Sequence, residues 1–300
     1  MPHVRLMEEL RELADRQYGA FTIEQARKWY SVRGIRRQLR AGCWLRVHNG
    51  VLCMAAHPLP LTTQLAAATL AIGKPVIACL HSAAELHGFG VVRSDRVHIV
   101  APRHLPQRAR LVMHQLDVPA GEIVRVGGLL ATAPARTAVE LARRVDRLRS
   151  LAVLDAALRT ETMTGDDLAE QAERQAGRRG IVQVRKLLPL ADARAESPME
   201  SATRLLCLTA GLPAPELQYE VRDEFGWPCQ YLDLAWPDRK VAVEYDGVKA
   251  HTGAVALRRD RARHNFLVEQ GWTIIYATAD DVFHYLNRLV RRISRALAVA

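Results

Sequence analysis

Acidic residues and one histidine in the last third of the chain have the types and spacing that metal-assisted or acid–base chemistry needs. Asp233 interrupts the apolar run YLDLAW, and Glu244 and Asp246 close the run VAVEYD. Strand side chains alternate with period two, so Glu244 and Asp246 share a face. Glu200 stands on a helical stretch ahead of them, and His251 follows Asp246 by five residues. Unpaired carboxylates buried in a sheet are costly unless something compensates them. One compensation is a hard divalent cation, Mg2+ (or Mn2+), held by Asp233, Glu244 and Asp246 with Glu200 assisting. Such an ion would polarise a phosphoryl oxygen and activate water for in-line attack. His251 would serve as base, ligand or leaving-group acid, and Arg259 or Arg263 would stabilise charge on the phosphate. The competing compensation is ion pairing with Arg258, Arg259, Arg261 or Arg263 of the helix that follows.

The elements that must hold these residues can be read from the pattern. A helix over 199–210 ends at Gly211, and strands over 218–223 and 230–235 form a hairpin through Phe225-Gly226-Trp227-Pro228. An almost wholly apolar strand spans 240–246. A basic helix over 258–270 stops at Gly271, WTIIYAT makes a further strand, and Asp280-Asp281 cap the final helix.

The front of the chain suggests a different chemistry. Residues 6–17 place Leu6, Leu10 and Leu13 at helical spacing, and Thr22 with Gln25 makes a capping box for a short second helix. Ser31 caps a third helix, which carries Ile35 and Leu39 on one face and Arg33, Arg36, Arg37 and Arg40 on another, and Gly42 stops it. WLRVHNGVLCM follows as a hairpin about Asn49-Gly50, a pair suited to a type I′ turn with positive φ at both positions. Three helices and a hairpin form a winged helix, whose third helix docks in the major groove of DNA. Its arginines would reach phosphates and guanine edges, and Arg46 and His48 on the wing would touch the backbone or minor groove. The competing readings are a solvated arginine face and a winged helix that contacts protein.

Composition and charge set the frame. The 300 residues suit two or three domains, and 49% hydrophobic with 25% charged residues describes a globular chain. Basic against acidic residues number 10 to 5 in residues 1–60, 19 to 13 in 61–195, and 13 to 14 in 196–300. The excess therefore lies in the first two thirds, as expected of a polyanion binder. Five cysteines without a CxxC pair argue against a disulfide framework and a structural zinc site, and favour a reducing cytoplasm. No run is apolar enough for a membrane span, and the N-terminus lacks a signal-peptide core. Residues 60–190 read as mixed α/β scaffold: a helix over 62–72, another near His81-Ser82, strands at RVHIVAP and RLVMHQL, a hairpin at Gly127-Gly128, then helices over 134–144, 147–158, 166–175 and 181–190. His81 and His87 fall on different helix faces, so a shared metal is not expected. Residues 191–197 read as a linker.

Two family resemblances follow from these residues. Helix-Glu, strand-Asp, strand-Glu is the order of the PD-(D/E)XK nuclease superfamily. YLDLAW, VAVEYDGVKAH and RRDRARHNFLVEQGWTIIY resemble its very-short-patch-repair (Vsr-like) endonuclease branch over about residues 197–297. The resemblance implies a restriction-endonuclease-like α/β domain, with Asp233 as principal metal ligand and His251 as the histidine of the site. It also matches Asp246-Gly247 to the strand-end turn, and Arg259, Asp260 and Arg263 to the helix motif. Asp246 stands where the superfamily's motif has a lysine. At the front, FTIEQARKWYSVRGIRRQLRAGCWLRVHNGVL resembles the winged helix of AbiEi antitoxins of type IV toxin–antitoxin systems. HSAAELHGF, VHIVAPR and TAPARTAVELA are similar to the region that accompanies it. That resemblance implies operator binding and a cognate toxin or other protein partner.

The expectation is a multidomain α+β and α/β chain: a winged helix over 1–57, an AbiEi-like mixed α/β middle domain over 58–192, and a Vsr-like domain over 197–300. Its leading function is double-stranded DNA binding with metal-dependent DNA cleavage, in the cytoplasm and away from membranes. The alternative is a transcriptional regulator or antitoxin-like protein whose nuclease-like domain is inactive and recognises DNA or a partner. A third reading drops DNA altogether and leaves a toxin-binding protein.

Overall fold

Helix α1 (Pro2–Arg16) turns Leu10 and Ala14, one turn apart, into a buried core. The computed structural model describes residues 2–56, 58–101, 108, 110–245 and 254–299. After strand β1 (Ala20–Thr22), the Thr22 hydroxyl accepts from the Gln25 amide at 3.0 Å and Gln25 accepts from the Thr22 amide at 2.8 Å. This reciprocal cap starts α2 (Ile23–Ala26). Ser31 accepts from the Gly34 amide at 3.1 Å and starts α3 (Val32–Arg40), after which Gly42 takes the left-handed conformation at φ 71°. Strands β2 (Trp44–His48) and β3 (Val51–Met54) complete a three-stranded sheet in the order β1-β3-β2. Trp44 packs edge-on against Phe21 and Tyr30, with ring centroids 5.0 and 4.9 Å apart, beside buried Ile35 and Leu52.

Two details depart from the sequence reading. β1 is too short for periodicity to reveal. The hairpin turn also has positive φ at Gly50 but not at Asn49, so it is not type I′. The pairing of β2 with β3 also shifts register between Arg46 and His48.

Helix α4 (Leu61–Ile72) is apolar on nearly all sides and is buried accordingly. Ala66 and Ala67 pack on Ala20 and Val51 of the small sheet, while Leu65 and Ala68 join Val97, Ile99 and Leu111 of a larger one. That larger sheet contains β4 (Ile77–Ala78), β5 (Val97–Val100), β6 (Leu111–His114), β7 (Ile123–Val126) and β8 (Leu129–Thr132), in the order β6-β5-β4-β8-β7. Gly127 and Gly128 both have positive φ at the β7–β8 turn, as expected there. Helix α5 (Leu80–Leu86) covers the sheet, and α6 (Pro134–Ala142) follows it. The chain divides into two units, Met1–Leu141 and Ala142–Ala300.

The second unit opens with α7 (Arg147–Arg159), α8 (Gly165–Arg174) and α9 (Ile181–Leu187). Residues 191–197, read as a linker, are pinned. Asp155 of α7 accepts from the Asp192 amide at 2.8 Å, Arg159 donates to the Ala195 carbonyl, and Ala195 is fully buried. Helix α10 (Pro198–Thr209) packs along α7 through a buried ion pair, Arg204 to Asp155 at 2.8 Å.

A four-stranded sheet follows, made of β9 (Glu216–Arg222), β10 (Pro228–Trp236), β11 (Val241–Tyr245) and β12 (Thr273–Ala277), in the order β12-β11-β10-β9. β9, β10 and β11 are successively antiparallel. β11 and β12 are parallel, so the connection between them needs the crossover helix α11 (Ala254–Glu269). α11 covers one face through Leu267 with Trp272, Ala242, Leu232 and Val221. The other face packs Val241, Val243, Ile275 and Ala277 against α10 and the C-terminal helices. The final helix expected from sequence is two helices. Thr278, not the aspartates, caps α12 (Ala279–Phe283), with Asp281 completing its capping box, and α13 (Leu286–Val299) starts anew. No described helix is long and apolar enough to cross a membrane.

Candidate functional site

On α3 the spacing of one turn or less between Arg33, Arg36, Arg37 and Arg40 sets all four guanidinium groups along one side, and all four are exposed. Ile35 is buried beneath them and fixes the helix to Trp44 and Phe21. A half-open pocket of about 230 Å³ beside the first turn is lined by Trp29, Tyr30, Ser31, Arg33, Gly34 and Arg37. Arg46 on β2 is also exposed. His48 cannot make the contact expected of it: it is buried, and burial followed by the charges of Arg108 and Arg110 lowers its pKa.

Three acids of the second unit, Asp233, Glu244 and Glu200, come near one another among the described residues. The Leu234–Val243 pairing puts Asp233 beside Glu244 on the neighbouring strand, and Asp233 accepts from the Tyr245 amide at 2.9 Å. Glu200, near the N-terminus of α10, is buried and accepts from the Glu196 amide at 2.9 Å and from the Gln218 amide side chain at 3.0 Å. Glu244 is buried and ion-paired to Arg263 of α11 at 2.6 Å, and the same guanidinium nitrogen donates to the Tyr231 carbonyl at 2.9 Å.

Burial raises the pKa of each acid. Glu244 is pushed up to about 7, chiefly by burial, against the pull of Arg263 and with a further push from Asp233. Asp233 is raised by burial, and the Tyr245 amide and Arg263 oppose this. Glu200 is raised by burial, with Asp233 adding repulsion. Asp233 is thus the acid that both others sense, and the Arg263 guanidinium acts on Asp233 and Glu244.

Ion pairing with α11 compensates Glu244, whereas Asp233 and Glu200 accept hydrogen bonds from the Tyr245 and Glu196 amides and the Gln218 side chain. One Glu244 oxygen, Oε1, faces Arg263. Among the described residues no group of three or more His, Cys, Asp or Glu side chains is arranged to hold a metal ion. Asp246 and His251 lie outside the described residues, as does the side chain of Arg259.

Sequence reasoning missed two polar clusters in the first unit. His98 Nδ1 lies 2.9 Å from His114 Nε2, His98 Nε2 lies 3.0 Å from the Ser94 hydroxyl, and the His81 ring lies 4.6 Å from that of His98. The signal that could have found them was a histidine within each of two otherwise apolar strands. Arg136 reaches Glu122, Glu140 at 2.9 Å and the Asp117 carbonyl at 2.7 Å, tying α6 to the segment that leads into β7. His81 and His87 bond separately, to the Val92 and Thr132 carbonyls.

Residues 76–190 match the model of the AbiEi antitoxin C-terminal domain. The match starts at β4 and runs through the five-stranded sheet to the end of the helical run after α9. Two proteins of Mycobacterium tuberculosis, uncharacterized protein Rv2248 of strain H37Rv and uncharacterized protein MT2308 of strain CDC 1551, are each 42% identical to this chain over 261 residues. The aligned region covers 87% of this chain and 94% of each relative. The chain belongs to the family of these two mycobacterial proteins, and in residues 76–190 it carries a segment matching the AbiEi antitoxin C-terminal domain.

Proposed function

We propose that this protein is an antitoxin-like, DNA-binding transcriptional regulator acting in the cytoplasm. The observation that carries the reading is the AbiEi antitoxin match over residues 76–190. It is supported by the three helices and hairpin ahead of that segment, an arrangement suited to a winged helix, and by the arginine side of α3. In this reading residues 1–57 hold double-stranded DNA through phosphate contacts of Arg33, Arg36, Arg37, Arg40 and Arg46. Residues 58–192 engage a cognate toxin or other protein partner. Residues 197–300 form a Vsr-like, restriction-endonuclease-like domain that recognises DNA or a partner without cleaving it, a reading supported by the ion pair of Arg263 with Glu244. The test is binding to DNA upstream of the protein's own reading frame, with and without Mg2+. The reading expects a specific complex with the same affinity in both conditions. Binding no tighter than to random duplex would refute it.

One observation favours a second reading. Asp233 and Glu244 lie side by side, with Glu200 within electrostatic reach of Asp233. A metal-dependent endonuclease would use this pair with Asp246 and His251. Nicking of supercoiled plasmid in Mg2+ or Mn2+ that disappears in an Asp233→Ala, Glu244→Ala variant would establish it. No nicking beyond that of the variant counts against it.

A further inference from the structure

Helix α13 carries Arg288, Arg291, Arg292 and Arg295, the same one-turn spacing that Arg33, Arg36, Arg37 and Arg40 have on α3. All four are exposed. From Val282 to the end of the chain there is no Asp or Glu. Among the described residues, the ion pair of α13 runs to α12. There Asp281 pairs with Arg288 at 2.8 Å, and Asp280 lies in the first turn. Among the described residues Arg291 bonds within its own helix, to the Asn287 carbonyl at 3.0 Å, and Arg292 and Arg295 have no ion pair.

The opposite side of α13 is already committed. Leu289 and Ile293 are buried against Val241, Val243 and Ile275, with Ala296 and Leu297 packed alongside. An amphipathic helix binds a membrane by inserting its apolar side, and here that side is inside the domain. What remains outward is a row of guanidinium groups, whose forked donors suit phosphate. From Arg288 to Arg295 the helix rises about 10 Å, a length over which one DNA strand presents about three phosphates.

We infer that the outward side of α13 binds the phosphate backbone of duplex DNA. It forms a second DNA contact, on the sheet face away from Arg263 and independent of α3. This rests on the proposed function, which has residues 197–300 recognise DNA or a partner, and deepens it by naming the helix side and the ligand.

The test is the salt dependence of the full chain's affinity for a random-sequence duplex. Three proteins are compared: wild type, R291Q/R292Q/R295Q and R291K/R292K/R295K. Arg288 is left in place because it holds Asp281. Glutamine keeps the helix propensity of arginine and removes the charge. Because the glutamine variant can neutralise three fewer phosphates, its affinity should fall about 40-fold less than wild type's between 50 and 200 mM salt. The lysine variant should keep the wild-type slope. Equal slopes for wild type and the glutamine variant would overturn the inference, as would a lysine variant that behaves like the glutamine one. An unchanged slope together with tight binding of an acidic protein would assign the row to a protein partner instead. R33Q/R36Q/R37Q/R40Q measured alongside keeps the two sites separate: loss of slope there alone leaves the α3 reading standing and removes this one.

Discussion

Replacing Glu244 with glutamine should make the second unit more stable at alkaline pH and barely change it in acid. In the folded chain burial lifts the Glu244 carboxyl from 4.5 to about 7, even with Arg263 attached. A folded pKa above the unfolded value means that the folded state holds the proton more tightly. The resulting stability is full below the unfolded pKa and is lost as pH rises through about 7. Over that gap the ionised form costs about 3 kcal/mol near pH 8, at 1.36 kcal/mol for each pKa unit. Glu244→Gln removes the titration and keeps the shape, and Arg263 retains its bond to the Tyr231 carbonyl. Chemical denaturation on either side of neutrality should show wild type losing stability toward alkaline pH and the variant losing about 3 kcal/mol less. Identical pH dependence in both proteins would refute the reasoning. Stabilisation of wild type by Mg2+ at alkaline pH, absent in the variant, would show instead that a cation displaces Arg263.

Three further outcomes follow from the packing. Arg204→Met leaves Asp155 buried without its cation and should cost about 3–5 kcal/mol in urea unfolding near neutral pH. The loss should shrink in acid, because burial already raises the Asp155 pKa; a loss that grows in acid contradicts this account. Gly180 has φ 85° and a Cβ there would lie 2.0 Å from the Arg143 carbonyl oxygen, whereas Gly177, at φ 75°, has open space. Gly180→Ala should therefore cost about 2–4 kcal/mol and Gly177→Ala about 1, and equal melting shifts would show that the contact relaxes freely. Ser31→Ala removes the cap of α3 and should cost about 1 kcal/mol while weakening DNA binding. Unchanged stability would mean that packing through Ile35 alone holds the helix.

Much of the architecture was legible because local signals agreed with tertiary packing. Ser31, Thr22 and the positive-φ glycines at 42, 211 and 271 mark helix ends that the structure reproduces. The apolar runs of β10, β11 and β12 became the buried core of one sheet. What failed to show were effects of neighbours distant in sequence. β1 and β4, three and two residues long, exist through pairing with β3 and with β5 and β8. Residues 191–197 look like a linker by composition, yet Asp155 and Arg159, more than thirty positions earlier, hold them. The acids were found by their disruption of apolar strands. The partner of Glu244 is Arg263, one of four arginines on α11, and the helix's placement over the sheet, which brings the two together, cannot be read from spacing. The row on α13 went unread because residues 196–300 are nearly neutral in total, which hides a local excess.

The central claim, that the arginine side of α3 holds duplex DNA, is tested most directly by the slope of log affinity against log salt for wild type and R33Q/R36Q/R37Q/R40Q. Neutralising four fewer phosphates should make the slope shallower by about 3.6, with the variant remaining folded because all four side chains are exposed. A slope that does not change would contradict the account and leave α3 as a solvated or protein-facing helix.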